Sequence, residues 1–218
     1  MNYSFLTGTA LFKDISPEEI HHMLHCLRAS EKNYRKGEII YHAGDSAECL
    51  GLILEGSVLI ENDDLWGSKS ILDQVGKGQI FAETYAMIPG EPLMVSVTAA
   101  CVCRVLFLNV RKLTQPCPSA CSFHQRIVQN LLRISAQKNL NLSQRIFFTS
   151  SKSIRGRLVS YLSHQAKKSG SCEFTIPFNR QQMADYLGVD RSALSKELSK
   201  MKKEGVLTYK KNAFHMIV

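Results

Sequence analysis

Arg191, Ser192, Ser195, Lys196, Ser199, Lys200 and Lys203 recur at helical spacing near the end of the chain. In projection Ser192, Lys196, Ser199 and Lys203 share one face, flanked by Ser195 and Lys200, while Leu194, Leu198 and Met201 share the opposite one. A small, polar and cationic face of this kind suits a polyanion. Short hydroxyl side chains let a helix sit deep in a DNA major groove, and the cations neutralise phosphates and release condensed counterions. Arg191, Ser192, Ser195 and Lys196, in the first turns, are expected at base edges; Lys200, Lys202 and Lys203, farther along, are expected at phosphates. The charge balance agrees. Residues 1–150 carry 14 Lys/Arg against 14 Asp/Glu, whereas residues 151–218 carry 13 against 5, so the whole net charge of +8 sits in the last third.

That face must be held by its neighbours. Asn179 followed by Gln182 spells a capping box for a first short helix, with Arg180 and Gln181 at its start completing the expected DNA-contacting set. Gly188 is placed to end that helix in left-handed geometry, and Asp190 to cap the next. After Gly205, Val206–Tyr209 and Ala213–Ile217 flank Lys210-Lys211-Asn212 as a hairpin, which supplies a wing. Helix pairs with a glycine turn also occur as plain packing units. Caps, outer-face chemistry, hairpin and charge excess together favour a winged helix-turn-helix from about Thr175 onward that binds double-stranded DNA.

Upstream the texture differs. Over residues 14–30, Ser16 can cap a helix opened by Pro17, Glu18 and Glu19, with Ile20, Met23, Leu24 and Leu27 on its apolar side. From Tyr34 to Leu108, short apolar runs are broken by glycines, the pattern of a small β-barrel or β-roll. Pro116 and Pro118 close that region, and roughly Ser119 to Phe147 reads as one long helix. Ile127, Leu131, Ile134, Leu142 and Ile146 form its apolar stripe, widened by Val128 and Leu132 and interrupted by Lys138 and Asn141. At about 40 Å it exceeds what one small domain covers, so a homodimer seam is expected, the alternative being an unusually long helix buried within one monomer. Thr149–Ser153 reads as a hinge and cap, followed by a helix from Ile154 to Lys168 that Gly170 ends. The expected fold is α+β, in three parts: a β-roll sensor domain at 1–116, a dimerisation helix at 117–148 and the DNA-binding domain at 149–218.

Nearly the whole chain resembles the CRP/FNR family of bacterial regulators. The marks are Lys36-Gly37-Glu38, Ala43-Gly44-Asp45, Glu55-Gly56-Ser57-Val58, Gly78-Gln79-Ile80-Phe81-Ala82-Glu83, the long helix, and Arg191-Ser192-Ala193-Leu194-Ser195-Lys196. The resemblance implies a cyclic-nucleotide-binding-like β-roll (a double-stranded jelly roll) and a homodimer on a palindromic promoter site. It also implies RNA polymerase as a partner and an effector that repositions the DNA-binding domains. Members that bind cyclic nucleotides carry Gly-Glu and, a short way on, Arg-Ser, the Arg pairing with the cyclic phosphate. Here Ala82-Glu83 replaces the first pair, and Leu93 and Met94 stand where Arg and Ser belong. Leucine cannot compensate a buried phosphate. Glu83, Leu93 and Met94 are therefore the effector-pocket candidates, cyclic AMP is not expected as the ligand, and the actual effector or cofactor is not specified.

Seven cysteines, irregularly spaced and without an export signal, suit reduced thiols in a cytoplasm. Cys117 and Cys121 are four apart at a helix start, where a lowered thiol pKa would permit redox or metal sensing; buried structural cysteine is the plainer reading. Cys101 and Cys103, alternating with Val102, are expected on one strand face. His21 and His25 are spaced for a metal but lack further ligands, so no metal set is assigned, and His42 and His124 are the candidates for a haem ligand. Alternatives on the same scaffold are a haem-, metal- or thiol-based sensor, or a cyclic-nucleotide module without a DNA-binding role. No enzyme motif and no membrane-length apolar run is present in the sequence.

Overall fold

The computed structural model describes residues 3–63, 69–114 and 122–217; Cys117 and Cys121 lie outside the described residues. The chain divides into two compact units, Met1–Ala136 and Gln137–Val218.

The first unit opens with α1 (Tyr3–Thr7) and α2 (Pro17–Cys26). Ser16 caps α2 through a complete capping box with Glu19. Strands β1 (Ser30–Tyr34), β2 (Ile39–Tyr41), β3 (Cys49–Glu55), β4 (Ser57–Asp63), β5 (Lys69–Gly76) and β6 (Ile80–Phe81) follow, then α3 (Glu83–Met87), β7 (Ser96–Ala99), β8 (Cys103–Asn109) and α4 (Arg111–Thr114). Two four-stranded sheets, ordered β1-β8-β3-β6 and β2-β7-β4-β5 with antiparallel pairs throughout, make the β-roll.

Why β3 reads as an unbroken apolar run is visible in its burial. Ile53, Val105 and Phe107 face an inner cluster with Val58, Phe81, Leu93 and Val97. Leu50, Leu52, Leu54, Leu106 and Leu108 pack on the other side with Leu6, Phe12, Ile20 and Met23. A sheet covered on both faces has no polar positions to alternate with. Gly51 is required where Phe81 lies on the strand, because a Cβ there would sit 2.2 Å from the ring.

Helix α5 (Ser122–Thr149) crosses from one unit into the other. Its expected single apolar stripe divides. Ile127 and Leu131 are buried in the first unit's core, where Asn130 Nδ2 also donates to the carbonyls of Leu11 (3.1 Å) and Lys13 (2.8 Å). Leu132, Leu142 and Ile146 stay exposed at 67%, 61% and 69%, and Val128 at 39%. The cysteine pair also departs from expectation: Cys101 is exposed in the bend before β8, and Cys103 is buried at that strand's start. Among the described residues no helix is long and apolar enough to cross a membrane.

The second unit continues with α6 (Ile154–Ser169), β9 (Glu173–Thr175), α7 (Arg180–Leu187), α8 (Arg191–Lys203), β10 (Leu207–Lys210) and β11 (Ala213–Met216). The strands form a sheet ordered β10-β11-β9. Phe148, Leu158, Tyr161, Leu162, Leu187, Leu194 and Leu198 are among the residues of its core.

Candidate nucleic-acid interface

The turn between α7 and α8 is fixed by local chemistry. Asn179 accepts from the Gln182 amide at 2.9 Å, and Gln182 Oε1 accepts from the Asn179 amide at 2.9 Å. Gly188 ends α7 at φ 62°, a conformation costly for a side chain with Cβ. Arg157 of α6 clasps this turn, its Nη1 donating to the carbonyls of Leu187 and Gly188 at 2.9 Å each and its Nε to that of Ser151 at 2.8 Å. Asp190 caps α8 by accepting from the Ala193 amide at 2.8 Å and the Ser192 hydroxyl at 2.5 Å. The Ser192 hydroxyl, then the Ala193 amide, hold the Asp190 carboxyl below the usual carboxylate range.

Leu194, Leu198 and Met201 are fully buried, and each contributes about 1.5–3 kcal/mol relative to exposure. Arg155 bonds Glu204 and lies 3.8 Å from Glu197, tying α6 to α8 and occupying the carboxylate within the helix and the one at its C-cap. The opposite side of α8 exposes Arg191, Ser192, Lys196, Ser199, Lys200 and Lys203, with Ser195 half-buried. Ser195, Lys196, Ser199, Lys200 and Lys203 line one shallow concavity. A second, wider groove gathers Arg180, Gln181 and Arg191 with Lys211 and Asn212 from the wing tip. The wing is pinned there: the Ile176 amide donates to the Asn212 carbonyl, and Asn212 Nδ2 donates back to the Ile176 carbonyl, both at 3.0 Å.

Several of these side chains are already engaged. Ser199 Oγ donates to the Ser195 carbonyl at 2.9 Å, and Gln181 Nε2 to Asp185 at 2.8 Å. Arg180 is half-buried against aromatic rings, and burial lowers its pKa. Among the described residues no ion pair holds Arg191, Lys196, Lys200 or Lys203, so four cations stand open around one surface. Sequence reasoning missed Arg157 as the clasp of the turn, and Lys211 and Asn212 as lining of the wider groove.

The effector candidates are placed differently. Leu93 is buried in the roll's inner cluster, its amide donating to the Asp45 carbonyl and its carbonyl accepting from the Gly44 amide, at 2.8 and 2.7 Å. Glu83 is buried in the first turn of α3, directly after Ala82, which adopts φ 58°. Met94 is 75% exposed, so the three do not form one enclosed lining.

Fold and surface thus define a two-domain regulator, a nucleotide-binding-type roll followed by a winged helix-turn-helix. The cyclic nucleotide-binding domain model matches residues 31–117 and the Crp-like helix-turn-helix domain model residues 156–218, and the chain belongs to the CRP/FNR family of DNA-binding transcription regulators. It is 24% identical over 189 residues to the cAMP-activated global transcriptional regulator CRP of Escherichia coli O6:H1, covering 80% of this chain and 83% of the relative. It is 22% identical over 191 residues to Electron transport regulator A of Shewanella oneidensis, covering 83% of this chain and 72% of the relative. The structure of OCPA-complexed CprK shares the fold with a TM-score of 0.65 at 16% identity, covering 91% of this chain and 91% of that one.

Proposed function

We propose that the protein is a homodimeric, effector-gated regulator that reads a palindromic promoter site and acts through RNA polymerase in a bacterial cytoplasm. Arg191, Ser192, Ser195 and Lys196 read base edges, and Arg180, Gln181, Ser199, Lys200 and Lys203 contact the backbone. The observation that carries this reading is the outer face of α8: small and cationic, with Glu197 and the C-cap Glu204 drawn away by Arg155. The exposed apolar residues of α5 support the dimer. Val128, Leu132, Leu142 and Ile146 fit a 4-3 repeat whose middle positions are Ser135 and Asn139, a seam for a second copy.

The effector is a small molecule or redox signal other than cyclic AMP. Leu93 fills the roll interior with an apolar side chain and offers no cation to a phosphate. Relatives of similar identity carry different names, one cAMP-activated and one an electron transport regulator, so the scaffold does not dictate cyclic AMP. Selection of genomic fragments by the purified protein tests the output: two half-sites centred about 34–36 Å apart are expected. Absence of any retained fragment at low salt, with and without candidate effectors, contradicts it. Calorimetric titration tests the input, and micromolar affinity for cyclic AMP contradicts that part.

A further inference from the structure

The wing carries a row of aromatic rings that begins in the second unit's core and ends at its surface. Strand register sets Tyr209 opposite Phe214, and Phe214 opposite Phe174, so three aromatic side chains lie abreast across β10, β11 and β9. Phe174 and Phe214 stack at 6.2 Å, and Tyr209 follows at 5.8 Å from Phe214. Phe174 and Phe214 are buried, while Tyr209, at the end of the row, is only half-buried. Arg180, from the start of α7, places its guanidinium carbon 4.7 Å from the centre of the Tyr209 ring and 5.1 Å from that of Phe214. From α8, Lys202 Nζ lies 5.5 Å from the same Tyr209 ring, and Ser199 Oγ is 3.4 Å from its hydroxyl. Tyr209 therefore meets a residue of the first helix and two of the reading helix from the wing.

We propose that Tyr209 is a positioning residue for DNA recognition, whose ring seats Arg180 as a preformed phosphate fork and joins the wing to α8. A guanidinium stacked on a ring engages through its flat face, while its N–H donors lie in its plane and remain available to a phosphate. Among the described residues no carboxylate pairs with Arg180, and its one hydrogen-bond contact is to the Met183 sulfur at 4.0 Å. Burial against the rings also lowers the Arg180 pKa, as a desolvated seat requires. An arginine already held in one orientation loses less freedom when it meets DNA, so the ring strengthens binding without touching the duplex.

The proposal rests on the DNA-binding reading, and the test separates the two. DNA affinity of the full chain is measured across a salt series for wild type, Tyr209→Phe, Tyr209→Leu, Arg180→Ala and the Tyr209→Leu/Arg180→Ala double variant. Tyr209→Leu keeps apolar bulk in the wing while removing the π face, and a thermal melt monitors folding. Tyr209→Leu is expected to weaken binding about tenfold and lower the salt slope by about one, as Arg180→Ala does, with the double variant no weaker than either. Tyr209→Phe keeps the ring and the wild-type slope. In the free protein, the Arg180 Nε–H resonance is expected to be equally ring-shifted in wild type and Tyr209→Phe and to move toward its solvent-exposed position in Tyr209→Leu, where only the Phe214 ring remains. Additive losses, a wild-type slope in Tyr209→Leu, or an unmoved Arg180 resonance overturns the proposal. A wild-type chain that retains no DNA overturns the regulator reading instead, and the resonance still decides whether Tyr209 seats Arg180.

Discussion

Helix α8 and the β-roll handle polar chemistry in opposite ways. On α8 the functional candidates other than the half-buried Ser195 are exposed, and Leu194, Leu198 and Met201 are buried, so surface and core separate along one short segment. In the roll, Glu83 and Leu93 are both buried, and Met94 beside them is exposed. An output surface has to meet a large partner and so shows itself on the outside. The effector candidates are instead split between core and surface, so burial alone does not single them out. The same difference separates their tolerance to change: charge is natural on α8 and costly inside the roll.

The largest expected effect follows from that contrast. Leu93→Arg restores the side chain type that the resemblance places there, and in the absence of ligand it buries an unpaired cation. Chemical denaturation of the roll is expected to show a loss of about 3–5 kcal/mol. A stable variant that gains cyclic AMP affinity would show instead that the pocket is intact and only its anchor is missing. Next in size is Leu198→Ala. Leu198 is fully buried on the inner face of α8, and its truncation costs about 2–5 kcal/mol, read in the same way for the second unit.

Changes on the outer face should act on binding with little effect on folding. Lys196→Ala is expected to lose about 1–3 kcal/mol of discrimination at one position of the half-site. Lys203→Ala is expected to weaken all sequences alike and lower the salt slope by about one. In the roll, Ala82→Gly should raise stability by about 1 kcal/mol, because Ala82 sits at φ 58°, where a Cβ is strained. The smallest effect concerns Asp190. Its carboxyl is depressed, so its stabilising contribution is present above the ordinary Asp pKa and fades as pH falls through the lower folded value. Asp190→Asn keeps a capping side chain and should flatten that acid limb of the stability profile with little change at neutral pH.

The DNA-binding end was largely legible in the sequence because its determinants are local. Asn179 with Gln182, Gly188, Asp190 and the Leu194–Leu198–Met201 face act within a few residues of one another, and each takes the expected role. What escaped depends on distant partners. Arg157 reaches a turn 30 residues away, and the row of Phe174, Phe214 and Tyr209 exists only through strand register. The α5 stripe shows the same limit. Periodicity alone cannot divide Ile127 and Leu131, which pack on the first unit's core, from Leu132 and Ile146, which remain exposed. The short helices α1, α3 and α4, of four or five residues, carry too little period to be read beforehand.

The central claim is that the outer face of α8 reads promoter DNA, with separate roles for its first and last turns. Footprinting and base-substitution profiling of one selected site, with wild type, Lys196→Ala and Lys203→Ala side by side, test it most directly. The account predicts a two-fold-symmetric protected site, a base preference relaxed at one position of each half-site by Lys196→Ala, and an unchanged preference with uniformly weaker binding in Lys203→Ala. Identical profiles for the two variants, or protection without two-fold symmetry, would contradict it.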